Sequence, residues 1–201
     1  MKELKLVRPS IEYKEQAIEY INEFIKYGSK IHGVASLNNY LDNYEEWLSK
    51  LEFYRNMIPG SVSGRVPAET FMLVRESNDR LIGMIDIRLM LNEYLLNYGG
   101  HIGYSIRPTE RQKGYNKIQL YLGLLEEQKV GEKRILLDCT VDNIGSNKSI
   151  ISLGGILEKT EIDENDNKLT NYYWIDVDKA ISENLEVYSS LVIIDPLLKI
   201  K

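Results

Sequence analysis

The chain has 201 residues, 43% of them hydrophobic and 27% charged, with a formal net charge of -5. That length suits one domain with its own core, and the apolar share is that of a globular chain rather than a disordered one. The acidic balance weighs against a nucleic-acid partner, which asks for a basic face, and the single cysteine, Cys139, excludes an intramolecular disulfide and suggests a reducing, cytoplasmic setting.

The opening residues Met1 to Val7 lack the apolar run of a secretory leader. No stretch reaches the roughly 18–20 apolar residues of a membrane span, so no membrane association is expected. Leu4 to Arg8 alternate as a short strand, and Ser10 is placed to cap a helix whose apolar stripe is Ala17, Ile18, Ile21, Phe24 and Ile25. A second helical stripe holds Leu41, Tyr44, Trp47, Leu48 and Leu51. A loop from Pro59 to Pro67 leads to strand-like runs at Phe71–Arg75 and Leu81–Met90, joined by the turn Ser77–Arg80. Asn92 to Gly100 reads as a second loop, and His101 to Ile106 as a strand stopped by Arg107-Pro108.

A helix is expected over Gly114–Gln128, ended by Gly131, then a buried strand over Ile135–Thr140 and a short helix over Ser146–Leu153. Ile156–Ile162 and Leu169–Val177 read as a final hairpin. The expected fold class is α/β: a mixed, mostly antiparallel central sheet of about seven strands with helices on both faces. One domain is expected over 1–181. The tail, 182–201, would supply an edge strand or, through its run Leu191–Ile194, a homodimer contact.

The chemistry is concentrated between His101 and Tyr115, where a strand ends, a polar loop turns and a helix begins at Gly114. A helix start offers backbone N–H groups with no intrahelical partner and a partial positive charge. Gly114 lets an anion approach the backbone, and Arg111 and Lys113 add charge beside it, which suits a pyrophosphate. A doubly wound nucleotide-binding domain is disfavoured, because its glycine loop follows the first strand. His32 and His101 lie far apart, and with one cysteine they give no zinc spacing, so no metal is expected.

The segment Arg111-Gln112-Lys113-Gly114-Tyr115-Asn116 resembles the Arg/Gln-x-x-Gly-x-Gly/Ala signature of the GCN5-related N-acetyltransferase (GNAT) superfamily. Downstream, Asp142-Asn143-Ile144-Gly145-Ser146, then Ile150 and Gly154-Gly155, is similar to that family's segment after its fifth strand. The resemblance implies acetyl-CoA as cosubstrate and a primary amine of a small molecule or peptide as acceptor, attacking the thioester directly. It implies that Arg111, Gln112, Lys113, Gly114, Tyr115 and Asn116 hold the pyrophosphate. Tyr104, Ser105 and Ile106 would meet the pantetheine arm, and Asn143 and Ser146 would face the coenzyme from the other wall.

Two positions depart from the pattern. Asn116 stands where the family has Gly or Ala, and Ile150 stands where many members place a proton-donating tyrosine. Tyr104, Tyr172 and Tyr173 are the alternative acids, and Glu69, Asp86, Glu93 and His101 the candidate bases. Tyr94, Tyr98, Tyr172, Tyr173 and Trp174 would line an acceptor pocket or pack the sheet. The departures also admit a second reading, a catalytically inactive module that binds acyl-CoA.

Overall fold

The computed structural model describes residues 3–194. Eight strands and six α-helices follow in the order β1 (Leu4–Val7), α1 (Lys14–Lys26), α2 (Tyr44–Arg55), β2 (Ala68–Arg75), β3 (Arg80–Arg88), α3 (Glu93–Asn97), β4 (Ile102–Ile106), α4 (Tyr115–Val130), β5 (Arg134–Thr140), α5 (Ile144–Ser152), β6 (Ile156–Asp163), β7 (Lys168–Asp176), α6 (Val177–Tyr188) and β8 (Val192–Ile193). The mixed, mostly antiparallel sheet with helices on both faces is present. Its strands divide into two sheets, ordered β4-β3-β2-β1-β8 and β5-β7-β6. All pairs are antiparallel except β1 with β8.

Each helix has a local cause. In α1 the period of 3.6 buries Ala17, Tyr20, Ile21 and Phe24, while Ile25 of the expected stripe turns to solvent. In α2 it buries Tyr44, Trp47 and Leu51. Ser10 stands before a single 3-10 turn and makes no side-chain cap. Asn143 and Asp176 do cap α5 and α6, their carboxamide and carboxylate oxygens accepting from the N–H groups of Ser146 and Lys179. Asn92 caps α3 in the same way through Leu95 N–H, so the expected loop over 92–100 contains a short helix.

The five-stranded sheet separates two apolar clusters. Met72, Val74, Leu81 and Met84 meet α1 and α2 on one face. Leu6, Phe71, Leu73, Ile85 and Ile87 meet Leu120, Tyr121 and Leu124 of α4 on the other. Ile135, Leu137, Tyr173 and Ile175 of the second sheet join that second cluster, which binds the two sheets into one core. Fully burying a side chain of this size contributes about 1.5–3 kcal/mol. A boundary at 181/182 would cut α6, which runs from Val177 to Tyr188, and Val192 of the tail is buried where β8 pairs with β1. Residues 195–201 lie outside the described residues.

Candidate functional site

The two sheets meet at the beginnings of β4 and β5. His101 N–H donates to Leu136 O at 2.8 Å, and Leu136 N–H donates to His101 Nδ1 at 2.9 Å. Beyond this staple the two strands pair only with their own sheets, leaving a wedge between them. Arg88 N–H donates to His101 O and Arg107 N–H to Ile82 O. Antiparallel alternation therefore turns the backbone of residues 101, 103, 105 and 107 toward β3. The N–H groups of Ile102, Tyr104 and Ile106 face the wedge. Ile106 O is occupied by Arg111 Nε at 3.1 Å.

His101 accepts a hydrogen bond through Nδ1, so its imidazole is neutral. Burial pushes its pKa down to about 4 against the bond from Leu136. It serves as the joint of the wedge, and its burial and engaged Nδ1 favour this structural role over that of a base. Tyr104 spans the wedge: its hydroxyl lies 2.8 Å from Ser146 Oγ on α5. Burial raises the phenol above its ordinary value. Ser105 faces away from α4, accepting from Tyr20 through its carbonyl oxygen and donating its hydroxyl to His32 O at 2.5 Å.

At the end of β4 the chain turns through Pro108–Glu110 into the glycine loop. Gln112 and Gly114 have φ of 63° and 83°, and a Cβ added at Gly114 would meet nothing within 4 Å. The backbone N–H groups of Gln112 through Asn116 find no acceptor among the described residues, and the first bond of the turn is Lys117 N–H to Gly114 O. Five successive free donors on an open surface at a helix start form an anion cradle. The cations around it are partly engaged. Arg111 bonds Ser29 Oγ at 2.8 Å and stacks on Phe24, while Lys113 and Arg75 both bind Glu110. Burial would raise the Glu110 carboxyl, but the bonds from Lys113 and Arg75 outweigh it and hold it low.

Asn116 does not fill the cradle. Its side-chain amide donates to Ser149 Oγ at 2.9 Å, tying α4 to α5. Asn143 is engaged as the cap of α5, and Ile150 of that helix is fully buried with Gly155 pressed against it.

On the face of α1 and α2 a cavity of about 460 Å³ opens beside β4, a size that suits a small-molecule ligand. Its floor holds Thr70, Asp86 and Arg88, and one wall is the 31–36 loop. Gly33 of that loop is pressed against β4, since a Cβ there would lie 2.3 Å from Gly103 O. Thr70 Oγ1 donates to Asp86 at 2.7 Å.

Glu69, one residue before Thr70, alternates to the opposite face, where Arg8 and Arg55 bind its carboxylate at 3.0 and 2.9 Å. This buried pairing favours a structural role over that of a base. Glu93 lies exposed on α3 and is no part of the cavity wall, to which its neighbours Tyr94 and Leu95 belong. Tyr173 is core and bonds Asn147, Tyr172 is buried with its phenol pushed up to about 12, and Trp174 bonds Glu158. Tyr98 pairs with Glu164.

Sequence reasoning missed Asp138. On β5, Ile135, Leu137 and Cys139 enter the core, so Asp138 takes the opposite face, within the field of Arg88. It is half-buried, with its pKa raised by burial against the field of Arg88. The signal was a carboxylate inside an otherwise apolar strand. Cys139 is buried with its thiol pushed up to about 11, which leaves it inert.

No protein-family model and no curated protein matches the chain. Solved structures do. RimJ of Mycobacterium smegmatis, solved with a CoA-disulfide, aligns with a TM-score of 0.67 at 12% identity over 95% of each chain. The microcin C7 self-immunity acetyltransferase MccE, solved with acetyl-CoA and AMP, aligns at 0.63 and 19% identity over 88% of this chain and 93% of its own. The ribosomal-protein-S5-alanine acetyltransferase of Vibrio fischeri aligns at 0.59 and 16% identity over 87% and 92%. The fold of this chain is that of the GNAT acetyltransferases. Among the described residues no helix is long and apolar enough to cross a membrane, and no cluster of His, Cys, Asp or Glu could hold a metal.

Proposed function

We propose that this protein is an acetyl-CoA-dependent N-acetyltransferase that acts on a primary amine of a small molecule or peptide. The observation that carries the reading is the run of five free N–H donors at Gln112–Asn116, tied by Arg111 to the end of a strand whose open edge faces a wedge. A pyrophosphate suits the first, and an extended pantetheine arm suits the second, adding to β4 as a strand would. Known structures of the same fold hold CoA or acetyl-CoA.

In this reading the N–H of Ile106 receives the thioester oxygen as negative charge develops on it. The amine nitrogen bonds to the acetyl carbon, and the bond from that carbon to sulfur breaks. Asp138 takes the proton released by the amine. Tyr104 holds its own proton too tightly to protonate a thiolate, whose ordinary pKa is about 8.5, so it stabilises the leaving sulfur by a hydrogen bond.

The test is thiol release from acetyl-CoA across a panel of amines. Asp138→Asn is expected to lower kcat by about 10²–10⁴-fold. The acid limb of the wild-type profile is expected above the aspartate reference of 3.8, because burial raises this carboxyl. Tight coenzyme binding with no thiol release from any amine would favour the inactive binding module.

A further inference from the structure

The cavity beside β4 has an unusual charge balance for an acidic chain. Its charged lining residues are Lys50, Arg65 and Arg88 against one carboxylate, Asp86. Elsewhere cations are repeatedly paired: Arg107 with Glu19 and Glu23, Arg55 with Glu52 and Glu69, Arg75 with Glu110. Among the described residues no carboxylate forms an ion pair with any of the three cavity cations.

Two of these cations are held in place, while Arg65 is exposed at the rim. Arg88 donates through one terminal nitrogen to Gly99 O at 2.7 Å and Gly100 O at 2.9 Å. Its other terminal nitrogen lies 3.8 Å from the site a Gly103 Cβ would occupy, at the edge of β4. Lys50 donates to Ala35 O at 3.2 Å and lies 5.0 Å from the centre of the Tyr40 ring. Burial and then the neighbouring Arg65 press its pKa down, opposed by Asp86. The pKa of His32 on the same wall is lowered, first by burial and then by Lys30 and Arg88, against Asp166. An ammonium-rich ligand such as a polyamine would meet repulsion from three cationic side chains, two of them anchored. An anion would relieve it, and in a half-enclosed site such pairing is stronger than at an open surface.

We propose that the acceptor is an amine that also carries an anionic group, a phosphate or a carboxylate, bound by Lys50, Arg65 and Arg88 in the cavity beside β4. Asp86 is the one carboxylate there to attract the ammonium, so the ligand is oriented by opposite charges at its two ends. This inference rests on the acetyl-transfer reading for the word acceptor, but the anion site itself does not. The overall step is balanced: one N–C bond forms, one C–S bond breaks, and the ammonium loses two protons, one kept by the CoA thiol and one released to solvent through the base.

The test is calorimetric titration of the full chain with O-phosphoethanolamine, glycine and ethanolamine, beside thiol release with each. O-phosphoethanolamine or glycine is expected to bind at least tenfold more tightly than ethanolamine, with the better of the two identifying phosphate or carboxylate. Arg65→Glu, a change at an exposed side chain, is expected to weaken that binding at least tenfold and leave acetyl-CoA binding unchanged. Equal binding of ethanolamine and of the two probes that carry an anionic group, no binding of either of those two at 10 mM (about 3 kcal/mol of affinity), or an Arg65→Glu protein that binds as before would overturn the proposal. Anion binding without thiol release would keep the anion site and remove acetyl transfer. Thiol release with ethanolamine, but no preference for the anions, would do the reverse.

Discussion

Glu127 has no exposed surface, and neither of its carboxylate oxygens has a partner. Burial, with Glu132 adding repulsion, pushes its pKa from 4.5 up to about 9. The folded state therefore holds a proton that the unfolded chain releases, and the stability Glu127 contributes is complete below pH 4.5 and lost as pH rises through about 9. Keeping that proton at pH 7 costs about 3 kcal/mol. Glu127→Gln is expected to raise stability at pH 7 by about 1–3 kcal/mol and to flatten the decline above pH 4.5, measured by urea unfolding across pH. A variant no more stable than the parent would mean that this carboxyl finds a partner in solution.

Glu69 is also buried, but two guanidinium groups bind its carboxylate. Glu69→Gln is expected to cost about 2–4 kcal/mol of stability while the folded fraction keeps its acetyl-transfer rate. A lost rate with stability intact would return it to the catalytic residues. Its proximity in sequence to a cavity residue, Thr70, was legible. Its orientation was not used, although alternation along β2 alone turns Glu69 and Thr70 to opposite faces.

At the scale of elements, the wedge depends on one side chain. His101 joins the two sheets by accepting Leu136 N–H, and its pKa is lowered from 6.5 to about 4. The sign follows from proton binding: the unfolded chain takes up the proton first as pH falls. The stability His101 contributes is thus complete above pH 6.5 and lost down to about pH 4. His101→Leu leaves a buried N–H unpaired and is expected to cost about 1–3 kcal/mol at pH 7. Its acid dependence between pH 6.5 and 4 is expected to be shallower than the parent's in chemical denaturation. An equally steep dependence would assign the acid sensitivity to other groups, with His32 the nearest alternative.

The amphipathic helices and the final hairpin were legible because period 3.6 and period 2 survive in the sequence at Ala17–Phe24 and in β7. The division into two sheets was not, because it arises from which strand edges fail to pair, and no residue pattern announces that. The five-residue α3 was too short for a periodic signal, though its cap Asn92 stood in view. Asp138 was hidden by the apolar run around it.

For the whole molecule, α4 is the hub. Its start carries the anion cradle, and its buried face packs the core shared by both sheets. A ligand seated at the cradle and in the wedge would touch both sheets and oppose their separation, so coenzyme binding should stabilise the fold as a unit. At one hundred times its dissociation constant a ligand adds about 2.7 kcal/mol, which for a chain of this length is a rise in Tm of about 5–10 °C. The motif and the position of the cradle could be read from Arg111–Asn116. The fate of Asn116 could not, because its partners, Ser149 and Gly145, lie about 30 residues away on another helix.

The most direct test is isothermal titration with acetyl-CoA of the parent chain and of Gly114→Glu, which would put a carboxylate into the open space of the cradle. The account expects saturable binding to the parent, and binding at least a hundredfold weaker in the variant with its fold intact by circular dichroism. Binding that is absent from the parent at millimolar coenzyme, or equal in the two proteins, would contradict it.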